Sequence, residues 1–299
     1  MKDVGEYFTL IPNKFIWDCG GGNSYMKEFG EKTIAILEYL YSRTSKFDLT
    51  FFTLDNMITS LGYTPRTGKG NTNEDFKNYL INMQKSGIIQ NCTKDIKSIN
   101  ANDFVQCELT IKQDKEFFTL YLRDFEKIFG LNEKNEVKMG ILNLYCYILA
   151  RIKKRDKDLC PGAEGYYAEA TWFSQDQAIF DLNMPKKSFT KYLKILVEND
   201  LVCYGNIGLV SKLGVTKTAN NVYTIEHEEL KQALSESKYY YIQEGWTILN
   251  RNKKKVTKQI EGLKGRIKQL EKEGYDTFLL REKLHELEMG LEPEDNIDK

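Results

Sequence analysis

Between Lys186 and Lys194 the chain carries Lys186, Lys187, Ser188, Thr190, Lys191 and Lys194, with no acid before Glu198. Cations and neutral donors gathered on one short stretch suit phosphate oxygens and base edges. Helical spacing puts Phe189, Tyr192, Leu193, Leu196 and Val197 on one apolar face. That leaves Lys187, Thr190, Lys191 and Lys194 outward. A second group, Lys212, Thr216, Lys217, Asn220 and Asn221, meets no acid until Glu226. A third is looser: Arg66, Lys69, Asn71, Asn73, Lys77 and Asn78, with Glu74 and Asp75 among them. Those two acids oppose phosphate but suit the start of a helix, where the backbone dipole is positive. Lys253, Lys254 and Lys255 form a fourth group. The chemistry these residues offer is contact with double-stranded DNA. The alternative is a solvated lysine face beside a polar hairpin, and for residues 63–73 a plain surface insertion weighs equally.

Other chemistries find no support. Gly62 to Gly70 fails the phosphate-loop pattern, because five residues separate Gly62 from Gly68 and Gly70 follows Lys69. Cys19-Gly20-Gly21-Gly22-Asn23-Ser24 has no following lysine, and no dinucleotide fingerprint is visible. Two isolated histidines, His227 and His285, leave no catalytic triad and no metal site. No catalytic residue and no cofactor is expected. The six cysteines are scattered without a CxxC pair, and the chain is long enough to bury a core without staples. They read as reduced thiols of a cytoplasmic protein. No apolar run approaches the ~20 residues a bilayer span needs, and the N-terminus lacks a signal-peptide core. The aromatic content suits core packing rather than a single-strand stacking platform, with Tyr239-Tyr240-Tyr241 as a possible exception.

An internal repeat shows what must position the lysines. Tyr7-Phe8-Thr9-Leu10 recurs as Phe117-Phe118-Thr119-Leu120, and Phe52-Thr53-Leu54-Asp55 as Phe173-Ser174-Gln175-Asp176. Phe76-Lys77-Asn78-Tyr79-Leu80 recurs as Phe189-Thr190-Lys191-Tyr192-Leu193. Gly87-Ile88-Ile89 then corresponds to Asp200-Leu201-Val202. Each copy predicts a strand, then a long amphipathic helix (31–45 or 137–155) and a short strand (47–52 or 166–172). A helix capped by Thr53 or Ser174 follows, then a turn, a helix (73–86 or 186–199) and two strands. In the first copy the closing strands are expected over 88–92 and 104–111. In the second they are expected over 203–210 and 222–225, around a loop at 211–221. This order is that of the winged helix, a helix-turn-helix variant. The second copy's helix 186–197 stands in the recognition position.

After Ile225 the composition shifts. Residues 226–244 read as a helix that is acidic at its start, and a helical pattern begins at Trp246. Val256, Ile260, Leu263, Ile267 and Leu270 are spaced as an a/d seam. Gly274 interrupts it, and Asp276 or Thr277 can cap a second helix with Leu280, Leu284, Leu287 and Leu291. The arm predicts a helical hairpin, or alternatively a short coiled coil. Residues 251–268 hold eight basic residues against one acid, and 282–299 hold seven acids against two lysines. Pairing between the two halves and basic contact to a partner are both open.

The fold class expected is α+β and mostly helical. Two tandem winged-helix domains (1–115 and 116–230) precede a C-terminal helical arm (231–299). This organisation resembles plasmid and phage replication initiators of the tandem winged-helix type. Residues 8–15, FTLIPNKF, resemble the start of the initiator winged helix of plasmids from Gram-positive bacteria. The resemblance covers about residues 7–225. It implies a protein that binds repeated origin sites in duplex DNA and recruits host replication proteins without cutting DNA. Self-association or replication-protein contact would fall to residues 246–299. A transcriptional or partition regulator and a winged-helix scaffold for protein partners are the alternatives. The balance of 43 basic against 43 acidic residues excludes binding driven by bulk charge. It leaves a few placed lysines to do the work.

Overall fold

Two blocks of the chain fold with the same succession of elements. The structure, a computed structural model, describes residues 7–18, 20–110, 116–152, 168–249, 251–272, 277, 280, 281 and 284, with backbone only for 251–260. The first block comprises β1 (Phe8–Pro12), α1 (Tyr25–Phe29), α2 (Thr33–Tyr41), β2 (Leu49–Phe52), α3 (Leu54–Ser60), α4 (Thr72–Lys85), β3 (Ile89–Gln90) and β4 (Val105–Leu109). The second runs β5 (Phe117–Tyr121), α5 (Leu122–Phe129), α6 (Asn135–Arg151), β6 (Ala170–Phe173), α7 (Gln175–Asp181), α8 (Lys186–Glu198) and β7 (Cys203–Gly205). A hairpin of β8 (Leu209–Lys212) and β9 (Val215–Thr218) intervenes before β10 (Asn221–Thr224) completes it. Then follow α9 (His227–Gln243), β11 (Thr247–Leu249) and α10 (Arg251–Lys272). About half of the described residues are helical, and the sheets are small and antiparallel. Their orders match between blocks: β2-β4-β3 and β6-β10-β7, with the last strand central in each.

The repeated sequence words do identifiable local work. Thr53 and Ser174 cap α3 and α7, accepting the N–H of Asn56 and Gln177 at 3.2 and 3.1 Å. All four helices of the matched pairs end in the same double hydrogen bond. At the end of α3 the N–H of Gly62 reaches Thr59 O and that of Tyr63 reaches Ile58 O; Asn183 and Met184 repeat this after α7. Gly87 with Ile88 closes α4, and Asp200 with Leu201 closes α8. The motif needs a left-handed residue, and φ is +80° at Gly62, +48° at Asn183, +74° at Gly87 and +50° at Asp200. Asp200 therefore bears a side-chain penalty that its counterpart Gly87 avoids. Its exposed contact with His227, at 3.8 Å, offsets little of it. Asp200→Gly is expected to raise stability by about 0.5–1 kcal/mol. An unchanged or lower urea midpoint would contradict that strain.

The two blocks share one core. β1 pairs with β5 from Phe8↔Tyr121 to Pro12↔Phe117, so the strand that opens each repeat finds its partner in the other. Ile34, Leu37 and Leu40 of α2 and Ile141, Leu144, Tyr145 and Ile148 of α6 belong to a single buried cluster. Hydrogen bonds cross between blocks as well: Asn13 Nδ2 donates to Ala150 O and Asn143 Nδ2 to Glu31 O, both at 2.9 Å. The expectation of amphipathic helices here is corrected. Every residue from Thr33 to Leu40 is buried, as is every one from Met139 to Ile148. Each helix is covered on the face an isolated copy would leave wet, α2 by α6 and α6 by α2. Glu38 is buried in consequence, at 4% exposure.

The chain divides into two compact units, residues 1–205 with 220–234, and residues 206–219 with 235–299. In the second unit β11-β8-β9 form an antiparallel sheet over Val210, Ala219 and Tyr241. This corrects the expected loop at 211–221 and the expected strand 203–210. β7 ends at Gly205, and the intervening residues form their own hairpin, turned at Leu213-Gly214 with φ +49° and +79°. Two successive left-handed residues give the turn whose twist matches paired strands. The helix expected from Trp246 is likewise corrected, since Thr247–Leu249 pairs with Leu209–Ser211 before α10 begins. In α10 Ile267 is buried, with Leu263 and Leu270 half-buried. Glu271 receives Arg281 at 2.6 Å and the Thr277 hydroxyl at 3.0 Å. Asp276, Leu287, Leu291 and the acidic stretch 285–299 lie outside the described residues.

Candidate nucleic-acid interface

Helix α8 presents a cationic face. Phe189, Leu193 and Leu196 are buried, and Tyr192, Ile195 and Val197 are half-buried against the core. Lys186, Lys187, Thr190, Lys191 and Lys194 are exposed, while Ser188 is half-buried. Pro185 occupies the N-cap position without a capping side chain, and no acid lies in the first turn. The first-turn N–H groups and the helix dipole therefore point toward solvent beside two lysines, an arrangement suited to phosphate. Packing sets the helix in place. Tyr192 lies so close over Gly140 of α6 that a Cβ there would stand 2.3 Å from its ring. In the first block the equivalent tyrosine, Tyr79, lies against Gly30 in the same way.

Two of the lysines are not bare cations. Lys191 Nζ meets Glu133 at 2.9 Å, from the loop between α5 and α6. Lys194 lies 3.5 Å from Glu198, one turn on. Thr190 Oγ1 donates to Lys186 O at 3.3 Å. Glu133 escaped sequence reasoning because it lies 58 residues from its partner, and no local pattern links them. Lys194 and Glu198 are both exposed, and Lys191 is exposed beside a half-buried Glu133, so each pair is worth about 0–1 kcal/mol and phosphate can displace the acids. Glu133→Gln should therefore strengthen binding to a duplex several-fold at low salt, by freeing Lys191 and removing a like charge. A titration showing weaker binding would set Glu133 to positioning the lysine instead.

The first block carries a different surface. Arg66, Lys69 and Asn78 are exposed and Lys77 half-buried. Asn71 spends its amide on Thr67 O at 2.8 Å. Asn73 is corrected: it is buried, and its Oδ1 accepts the Arg66 N–H at 2.9 Å, so it holds the loop rather than facing a ligand. Glu74 accepts the Gly70 N–H, and Asp75 pairs with Lys32 at 3.2 Å. Glu74, Asp75 and Glu136 line one shallow cleft here, so the helix start is acidic where that of α8 is basic.

The hairpin lysines stand on an aromatic floor. Lys217 Nζ lies 4.3 Å from the Trp246 ring and 6.0 Å from that of Tyr241. Lys212 lies 5.9 Å from Trp246 and also donates to Glu244 O. Thr216 is exposed, its hydroxyl 3.3 Å from that of Ser211. Asn220 is half-buried and precedes β10, while Asn221 lies in β10 with its amide on Tyr223 Oη at 3.2 Å. That places Asn221 in a strand, not in a tip. The side chains of Lys253, Lys254 and Lys255, on α10, lie outside the described residues. Tyr239 and Tyr240 are exposed and Tyr241 is buried beneath Trp246 and the hairpin.

Cys92, Cys107, Cys146 and Cys203 are free thiols. Among the described residues no helix is long and apolar enough to cross a membrane. No family model, curated protein or solved structure matches the chain.

Proposed function

We propose that this chain is a sequence-specific double-stranded DNA-binding protein built on two winged helices, and that it serves as a non-nicking replication initiator of a plasmid or phage. The reading rests first on α8. It is a basic helix with a clear, acid-free first turn, standing second after a capped helix and a tight turn. Helix, strand, helix, turn, helix, strand and central last strand is the winged-helix order, and its second helix after the turn is the one that enters a major groove. Under this reading Lys187, Thr190, Lys191 and Lys194 face the duplex. The first block, with its acidic helix start, contributes less to DNA. The C-terminal arm contacts a second copy or a replication protein.

Selection from random duplexes with the full chain, then footprinting near the protein's own gene, tests the reading. Direct repeats at an origin are the expected result. A promoter operator would reassign the protein to transcription. Failure to select any motif would remove sequence-specific binding altogether.

A further inference from the structure

A cleft of about 970 Å³ opens beside the β1–β5 pair in the first unit. Its walls are apolar and aromatic: Tyr7, Phe8, Leu10, Tyr41 and Phe117. Phe8, Leu10 and Phe117 remain 55%, 43% and 38% exposed, so the apolar surface continues out of the cleft. Glu38 also lines it. Its side chain comes from α2, buried because α6 covers that helix. Thr9 hydrogen-bonds the carboxyl, but Oε2 has no partner among the described residues. Burial pushes this carboxyl above the usual range, with the Thr9 bond pulling the other way. Among the described residues lining the cleft, Glu38 and Asp48 are the carboxylic acids, and no lysine, arginine or histidine is among them.

A buried carboxylate oxygen without a partner is costly, and a cation of the right reach removes the cost. Tyr7, Phe8 and Tyr41 put aromatic rings in the lining, and such rings attract ammonium or guanidinium groups. The volume is at the upper end for a small ligand and takes several residues of an extended chain. We propose that this cleft receives a lysine or arginine side chain of a partner protein, presented between apolar residues, with Glu38 as the ion partner. The proposal does not depend on the DNA-binding reading. A positive side chain satisfies Glu38, while its apolar neighbours cover Phe8, Leu10 and Phe117.

The test uses the full chain and a capped Phe-Lys-Phe peptide, titrated by calorimetry beside the same peptide with norleucine for lysine. The lysine peptide should bind about tenfold tighter or more, the margin of one charge-assisted bond in a dry site. Glu38→Gln should abolish that preference while the melting temperature holds. Leu10→Lys, on an exposed wall position, should occupy the site with its own ammonium and block the peptide, which covers the case in which Glu38→Gln fails to fold. Equal binding of the two peptides, or a preference that survives both substitutions, overturns the proposal. Glu38-dependent dimers of the chain alone would assign the cleft to a second copy and overturn a separate partner.

Discussion

Replacing Lys187 and Lys191 together with alanine is expected to weaken binding to a selected duplex by about 10–100-fold near physiological salt. The dependence of log K on log salt should become shallower by about 2, because each phosphate contact contributes about 0.9 to the slope. Both side chains are exposed on α8, and neither belongs to the buried set that holds the helix on α6 and α7. The folded state should survive: the one ion pair lost, Lys191 with Glu133, is exposed on the lysine side and contributes little. A melting curve unchanged within error would establish that. Affinity and slope that also stay unchanged would remove α8 from the interface. Loss of affinity with an unchanged slope would point to a structural effect rather than lost phosphate contacts.

Gly30→Ala should cost about 2–4 kcal/mol of stability, adding a left-handed penalty to a collision. Gly30 has φ +118°, and a Cβ there would stand 2.3 Å from the Tyr79 hydroxyl. Tyr79 is anchored between α4 and the start of α2, where it accepts the Lys32 N–H at 3.4 Å. Burial, helped by the Asp75 and Glu31 charges and opposed by the Lys32 N–H bond, pushes its phenol up to about 12, so the ring stays neutral. Gly140→Ala makes the instructive comparison. It meets the Tyr192 ring equally closely, but its backbone is helical and gains about 1 kcal/mol of helix propensity. Tyr192→Leu should therefore rescue Gly140→Ala almost fully, whereas Tyr79→Leu should rescue Gly30→Ala only in part. Chemical denaturation of the two double-mutant cycles reads this directly. Full rescue in both would mean that backbone strain at Gly30 is negligible.

Short words with local physics were legible before any coordinates. Thr53 and Ser174 cap their helices because a hydroxyl at that position reaches an N–H three residues on. The apolar face of α8 follows from helical spacing, and its outward lysines follow from that face. The correspondence of Gly87-Ile88-Ile89 with Asp200-Leu201-Val202 marks a helix end that both blocks build from the same hydrogen bonds. Each of these depends on residues within about one helical turn.

What the tertiary structure alone decided depends on distant residues. The amphipathic reading of α2 and α6 failed because the other block covers their second face, and that burial is what strands Glu38. β1 and β5 meet across more than a hundred residues, and neither strand advertises its partner. Asn73 looked like a phosphate donor and instead clamps Arg66. Ser211–Lys212 and Val215–Thr218 left the expected loop because Thr247–Leu249 offered an edge. Glu133 reaches Lys191 from another loop. By itself the sequence determined the caps, the helix ends and the cationic face, since those interactions are local. Covered faces, strand partners and the neutralising acids were set by long-range packing, which no periodicity in a single chain encodes.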